Sequence, residues 1–310
     1  MSSSTYLKAD LLLISATILA AFGWIFSKSA LAGFTPLLFL ALRFSGAGFL
    51  LFSLGGFRQL KQLSAKQWKI GLLGGVLFAF GMMFWITGLH LSAHIGVGAF
   101  LSNMGLVLVP VIGLFFGERP TVSAWMSLPV VAVGLACLSL DKEFVMGVGE
   151  ISFVASASLF ASGFIVMSRA SASMPTFALT TIQLLCAGSI SLVASIMFET
   201  WDFHQPLNIW FWLLASILLG TSLRFFIQLR AQGMTPASHA AIIMVLEPVW
   251  AAILAGIWLG DTMTQLQFVG CSLIFAAMLI NRWRMVRYAL MGLVASVRRR
   301  VVRCCVRGKT

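Results

Sequence analysis

The sequence predicts an all-α integral membrane protein whose ten transmembrane helices form two five-helix repeats of inverted topology. Three observations predict this fold. Only 10% of the 310 residues are charged and 60% are hydrophobic, whereas a soluble domain has about 25% charged residues. Ten apolar runs follow one another, each close to the ~20 residues that a helix needs to cross a bilayer. The two halves of the chain also repeat the same landmarks at similar spacing.

The ten runs lie close together, and their short connections predict that sequential helices are antiparallel. The expected spans are 9–27, 35–54, 70–89, 94–116, 122–140, 149–168, 177–198, 208–229, 237–258 and 265–283. Small residues recur at helix-packing spacing in the third, fourth and ninth runs. Such residues let transmembrane helices approach closely, which favours a tight bundle over a loose set of anchors.

The landmarks of the two halves fall at the same places in the runs. Asp10 and Glu150 open the first and sixth runs, and Gly23 and Gly163 each follow thirteen residues later. The remaining pairs are Pro36 with Pro175 and Gly117-Glu118 with Gly260-Asp261. Because each half has an odd number of helices, the second half must enter the membrane upside down, which is the plan of many secondary transporters. The expected division is 1–143 and 144–284 for the repeats and 285–310 for a basic tail.

The basic residues predict the orientation in the membrane. With the N-terminus in the cytoplasm, 17 of the 19 loop and terminal Lys and Arg residues lie on the cytoplasmic side, and only Lys28 and Lys142 lie on the opposite side. By the positive-inside rule both termini are therefore expected in the cytoplasm, with the chain in the inner (plasma) membrane. The net charge of +12 is explained in this way and predicts no nucleic-acid partner. The Arg-rich tail is either an amphipathic helix on anionic lipid or a disordered basic end.

Several motifs resemble those of the drug/metabolite transporter superfamily, and the chain is similar to its EamA-type ten-helix members over residues 9–283. They are Arg43-Phe44, Gly117-Glu118, Glu247-Pro248 and Gly260-Asp261. The resemblance implies two inverted five-helix repeats around a central cavity, and export or exchange of small metabolites such as amino acids or amphipathic compounds. Gly260-Asp261 stands where the family usually has Gly-Glu. The chain departs from the family in Phe22-Gly23-Trp24, where many relatives have Trp-Gly, and in its unusually Arg-rich tail.

Glu247 is the carboxylate that lies deepest within a predicted span, and Pro248 follows it. A bare carboxylate in hydrocarbon costs several kcal/mol, so Glu247 should be protonated, paired or next to a wet cavity. Pro248 lacks an N–H and clashes with the preceding turn, which predicts a kink in the ninth helix. Glu247 is either a substrate-binding and proton-coupling residue or half of a structural pair, for which Arg224 in the eighth helix is in reach.

Arg43 lies within the second run, too deep to reach the membrane surface without snorkelling. It either binds a substrate carboxylate through its planar fork or serves as a structural partner. The further candidate substrate-binding residues are Trp24, Trp85, Asn103 and Gln183. Each amide is also consistent with hydrogen bonding between helices. His94 and His239 have no metal-like spacing and are expected at the surface.

The sequence favours a secondary transporter working by alternating access, and it predicts neither an enzyme nor a cofactor or metal site. The sequence has no phosphate-binding loop and no nucleophile elbow, and no predicted helix carries a pair of acidic residues. The alternatives are a non-transporting membrane scaffold and an intramembrane lipid-modifying enzyme. The expected partners are a small-molecule substrate and membrane lipids, and the protein is expected to be a monomer.

The orientation predicts which reagents reach the tail. A membrane-impermeant thiol reagent should label Cys304 and Cys305 only after the cells are permeabilised, because the positive-inside rule places the tail in the cytoplasm. A variant with both tail cysteines replaced by serine identifies the signal by its loss. Labelling of the tail in intact cells would contradict the orientation.

Overall fold

A computed structural model describes residues 3–91, 95–139, 147–259 and 264–281, and these residues form ten helical regions with no strand among them. In order they are α1 Ser3–Ala30, α2 Pro36–Leu60, α3 Ala65–Leu91, α4 Ile95–Phe115, α5 Val122–Ser139, α6 Val148–Ser171, α7 Thr176–Phe198, α8 Leu207–Gln232, α9 (Ala237–Met244 and Leu246–Leu259) and α10 Gln265–Asn281. The ten regions coincide with the ten predicted runs.

The apolar character of these helices is that of membrane spans. Within the described residues, seven are long and apolar enough to cross a membrane, and three shorter apolar helices accompany them, namely Leu101–Phe115, Val122–Cys137 and Gln265–Asn281. Two local features were not predicted. Helix α2 is kinked within Phe52–Gly56, where the backbone of Gly55 is not helical, and Ser216–Leu223 in α8 forms a π-helical segment. Such segments are rare and are frequently found at functional sites.

The packing of the helices follows the inverted repeat. Helix α1 packs on α8 and α9, and the equivalent helix α6 packs on α3 and α4. The remaining large contacts join α2 to α7 and α5 to α10, which are equivalent helices of the two repeats. Each contact therefore has a counterpart when α1–α5 are exchanged for α6–α10. This arrangement is the one expected for a pseudo-two-fold axis in the membrane plane.

The contact between α2 and α7 shows this symmetry at the level of single residues. A Cβ atom on Gly48 would lie 2.6 Å from the side chain of Leu185. A Cβ atom on Gly188 would lie 2.6 Å from the backbone nitrogen of Ser45. Gly48 and Gly188 are 140 positions apart, and so are Ser45 and Leu185. The two glycines thus allow the two helices to approach closely at equivalent points.

The same two helices cap each other. Glu199, at the end of α7, accepts hydrogen bonds from the backbone N–H groups of Leu37 at 2.9 Å and Leu38 at 2.8 Å, and so caps the start of α2. Gln59, near the end of α2, accepts one from the N–H of Ala178 at 3.2 Å and caps the start of α7. Glu199 also follows Gln59 by 140 positions. These N–H groups have no partner within their own helix, so each repeat satisfies donors of the other.

Helices α1 and α8 cross closely next to the side chain of Arg43. A Cβ atom on Gly23 would lie 3.2 Å from the Cα atom of Gly220 and 3.6 Å from Nη2 of Arg43. A Cβ atom at Gly220 would lie 2.9 Å from the Cα atom of Gly23, so a larger residue at either position would push the two backbones apart. The crossing brings the π-helical segment of α8 next to α1.

Some predicted features lie outside the described residues. They are the division between the repeats at 143/144, the tail 285–310 with Cys304 and Cys305, Gly260-Asp261 and His94.

Candidate functional site

An ion pair between Arg224 and Glu247 lies within the bundle. Nη2 of Arg224 donates to Oε2 of Glu247 at 3.1 Å. The two side chains are 17% and 19% exposed, so the pair is largely removed from solvent but remains accessible. Arg224 also stacks on the ring of Phe225, with its guanidinium carbon 4.3 Å from the ring centroid. The sequence left the pair as one possibility for Glu247, and the structure forms it.

The backbone of α9 places the carboxylate. The first helical segment ends at Met244, Val245 interrupts it, and the second begins at Leu246. Pro248 accounts for the position of the break, because a proline ring clashes with the carbonyl four residues earlier, which is that of Met244. Glu247 therefore lies in the first turn of a helix, where unpaired N–H groups favour a negative charge.

Two tryptophans complete the surroundings of Glu247. Nε1 of Trp24 donates to Oε1 of Glu247 at 3.1 Å. The ring of Trp85 meets that of Trp24 edge-on, with centroids 5.6 Å apart. Trp24 is 46% exposed although it binds the carboxylate. Four helices thus meet at this point: α1 and α3 from the first repeat, and α8 and α9 from the second.

Arg43 is held at the crossing of α1 and α8. Its Nε donates to Oγ1 of Thr221 at 2.5 Å, Nη1 to Oγ of Ser27 at 2.9 Å, and Nη2 to the carbonyl oxygen of Gly220 at 3.2 Å. Both α8 partners belong to its π-helical segment. A guanidinium group has five N–H donors, so these bonds leave two for a further acceptor.

The charges of the site do not cancel. Among the described residues Arg43 forms no ion pair of its own, and its charge interacts with those of Arg224 and Glu247. Two guanidinium groups and one carboxylate therefore lie close enough to influence one another. The site carries one excess positive charge, which suits an anionic group.

The other two predicted substrate-binding residues lie on α7 and α4. Gln183, on α7, is 6% exposed, and its α carbon lies against Gly75 of α3. Asn103 lies half-buried on α4. The hydrogen bonds around Glu247 and Arg43 described above come from α1, α2, α8 and α9.

A second polar cluster was missed by the sequence reasoning. Nδ2 of Asn281 donates to Nδ1 of His239 at 2.8 Å, so Nε2 carries the proton and donates to Oδ1 of Asp10 at 3.0 Å. The surface position expected for His239 is wrong, since its side chain is only 12% exposed. The cause is its partner Asp10, which is 229 positions away in sequence. The cluster joins α1, α9 and α10 on the predicted cytoplasmic side.

The Gly117-Glu118 motif also acts on the start of α9. Gly117 has a φ of 76°, which glycine adopts without strain, and the N–H of Glu118 then donates to the carbonyl oxygen of Gly113 at 2.8 Å. This turn brings the Glu118 carboxylate to the backbone N–H of Ser238. Burial raises the pKa of Glu118, while Arg169 and the hydrogen bond from Ser238 act in the opposite direction.

One further groove on the surface lacks charged groups. An apolar groove of about 330 Å³ runs between α3 and α7, and Phe80, Met83, Val193 and Met197 are among its lining residues. None of its lining residues is charged. Within the described ranges, no three His, Cys, Asp or Glu side chains come together as a metal site would require.

The ion pair predicts a specific pattern of stability. Glu247→Gln and Arg224→Gln should each lower the free energy of unfolding by about 1–3 kcal/mol, less than the ~3–5 kcal/mol of a fully buried pair, because one unpaired charge remains. The double variant should recover more than half of the larger loss. Thermal unfolding in detergent measures the cycle, and Arg230→Gln, at an exposed position of α8, is the matched control and should change little. Additive losses in the double variant would show that the two side chains are not coupled.

Comparison with known proteins identifies the family of the chain. The model of the EamA-like transporter family matches residues 7–140 and again 147–283. A protein of Archaeoglobus fulgidus, named as an uncharacterized transporter, is 24% identical over 213 residues, which are 69% of this chain and 76% of that protein. A solved structure, titled only as the crystal structure of a protein, is similar in fold with a TM-score of 0.78 at 18% identity, over 90% of this chain and 98% of that one. With two matched repeats that span most of its length, the chain belongs to the EamA-like transporter family.

Proposed function

We propose that the protein is a secondary transporter that exports or exchanges small amphipathic organic solutes carrying a carboxylate, amino acids among them, by alternating access. Family membership supports membrane transport. The observation that carries the solute class is the site itself, where Arg224 pairs with Glu247, a second guanidinium group, that of Arg43, lies nearby, and Trp24 and Trp85 adjoin the carboxylate. The basic-residue distribution alone supports an inner (plasma) membrane location with both termini in the cytoplasm. The monomeric state is part of the proposal.

Each part of the solute has a complementary group. The excess positive charge and the two unused N–H donors of Arg43 suit a carboxylate, which a guanidinium group binds through two parallel hydrogen bonds. The rings of Trp24 and Trp85 suit an apolar or aromatic side chain. The Glu247 carboxylate suits an ammonium group, so a zwitterionic amino acid satisfies all three.

The ion pair supplies the basis for exchange. A solute carboxylate bound at Arg43 also attracts the Arg224 guanidinium group and so competes with Glu247 for it. Once released, Glu247 is an unpaired carboxylate in a poorly hydrated site, and binding a proton or the ammonium group of the solute removes this cost. Partner exchange at Arg224 therefore links solute binding to the ionisation of Glu247.

The inverted repeats supply the basis for alternating access. Trp24, Arg43 and Trp85 belong to the first repeat, and Arg224 and Glu247 belong to the second. A movement of one repeat against the other changes the distances within the site and the side on which it opens. The break in α9 at Val245 lies two residues before Glu247 and allows the two segments to tilt separately.

The proposal predicts the behaviour of Arg43 variants. Proteoliposomes with the parent protein should show counterflow of radiolabelled L-phenylalanine, competed by 3-phenylpropanoate but not by phenethylamine, which lacks the carboxylate. Arg43→Lys and Arg43→Ala should each reduce counterflow at least about tenfold, or ~1.4 kcal/mol, because an ammonium group lacks the planar fork.

Protein amount and thermal unfolding are the controls for these variants. Normal counterflow in both would exclude Arg43 as the anion-binding residue, and failure of both to accumulate in the membrane would assign it a structural role. Competition by phenethylamine as strong as that by 3-phenylpropanoate would contradict the solute class. Counterflow tests transport against the scaffold and the lipid-modifying enzyme, neither of which moves solute.

A further inference from the structure

Helix α8 carries a polar face that continues beyond the ion pair. Arg224, Gln228 and Gln232 are spaced four residues apart, so their side chains follow one another along the same face of the helix. Arg224 binds Glu247, and the two glutamines extend from it toward the predicted cytoplasmic end of the bundle. The hydrogen bonds of the ion pair do not involve either glutamine.

Both glutamines are buried with amide atoms that lack partners. Gln228 is 8% exposed and Gln232 is 1% exposed. Oε1 of Gln228 and both Oε1 and Nε2 of Gln232 have no hydrogen-bond partner among the described residues. A buried polar group left without a partner destabilises the state that holds it. Hydrogen bonding between helices, which would justify an amide in a membrane bundle, does not account for them.

The flanking residues show where the glutamine face is directed. Leu229 packs against residues of α6 and α7, including Met167 and Leu179. Ala231 packs in a different cluster with residues of α1 and α9, including Leu13 and Ile243. The glutamine face lies between these two contacts. It therefore points toward the interior, where the helices of the two repeats converge below the ion pair.

The predicted cytoplasmic end of this interior is closed by the start of α9. His239 is hydrogen-bonded to Asp10 of α1 and Asn281 of α10, and Ser238 is bound by Glu118. These contacts join separate helices, so they can part without unfolding any of them. Parting would open a path to the glutamine face.

We propose that Gln228 and Gln232 form a second, uncharged binding site along the route between the Arg224–Glu247 pair and the predicted cytoplasmic side, for the hydrogen-bonding groups of the solute and its water. The site rests on the proposed transport function and adds a stage to it. An amide offers both a donor and an acceptor, so it binds carboxylate, ammonium and hydroxyl groups without a charge that would retain them. The unpartnered amides raise the free energy of the closed state, and solvation in the open state removes this cost.

Cysteine accessibility tests the site without knowledge of the solute. In the full chain with its five cysteines replaced by serine, we compare Gln228→Cys and Gln232→Cys with Leu229→Cys and Ala231→Cys. The controls are matched, because Leu229 is 1% exposed and Ala231 is 0% exposed on the same helix. The probe is 2-sulfonatoethyl methanethiosulfonate, which is anionic and membrane-impermeant, applied to inverted membrane vesicles.

The two glutamine positions should react at least about tenfold faster than both controls. Absence of reaction at both glutamine positions, or equal rates at all four, would overturn the proposal. Counterflow of L-phenylalanine without this labelling pattern would refute the glutamine site and leave the transport function standing. Absence of both the counterflow and the labelling pattern would refute the transport function and the glutamine site together.

Discussion

A charged carboxylate inside an apolar bundle is the constraint on which the rest of the structure depends. Glu247 is stable there because Arg224 and Trp24 both bind it at 3.1 Å, and because it starts a helix rather than continuing one. The helix start at Glu247 and the contact with Trp24 each need a special local feature. Pro248 breaks α9, and the close crossing of Gly23 and Gly220 brings α1 against α8. The cost of burying the charge is thus offset by several features that a plain structural helix would not need.

The inverted repeat gives the proposed alternating access a structural basis. The two repeats hold each other at α2 and α7, where Gly48 and Gly188 and the caps Gln59 and Glu199 make reciprocal contacts. The site draws residues from both repeats, from α1, α2 and α3 of the first and from α8 and α9 of the second, with Arg43 contributed by α2 itself. A firm contact on the symmetry axis combined with a shared site is what rocking of one repeat against the other requires.

Much of the fold could be predicted because the bilayer imposes length and composition on every span. The geometry of the site was predictable where its cause is local. Pro248 has no N–H to donate to the Met244 carbonyl, which predicts the break in α9. Arg224 and Glu247 lie on sequential antiparallel helices, which makes their pairing possible. It was not predictable where the cause is tertiary. Arg43 binds Ser27 of α1 and Thr221 of a π-helical segment that no simple periodicity indicates. His239 was expected at the surface because Asp10 and Asn281 are distant in sequence.

The central claim is that Glu247 exchanges Arg224 for a proton or a solute group during transport. The most direct test is counterflow of L-phenylalanine in proteoliposomes under an imposed pH gradient, comparing the parent with Glu247→Gln. The account predicts that flux by the parent follows the gradient and that flux by Glu247→Gln does not, because the amide cannot release a proton. Flux by Glu247→Gln that follows the gradient as the parent does would contradict the claim and leave the pair a structural role.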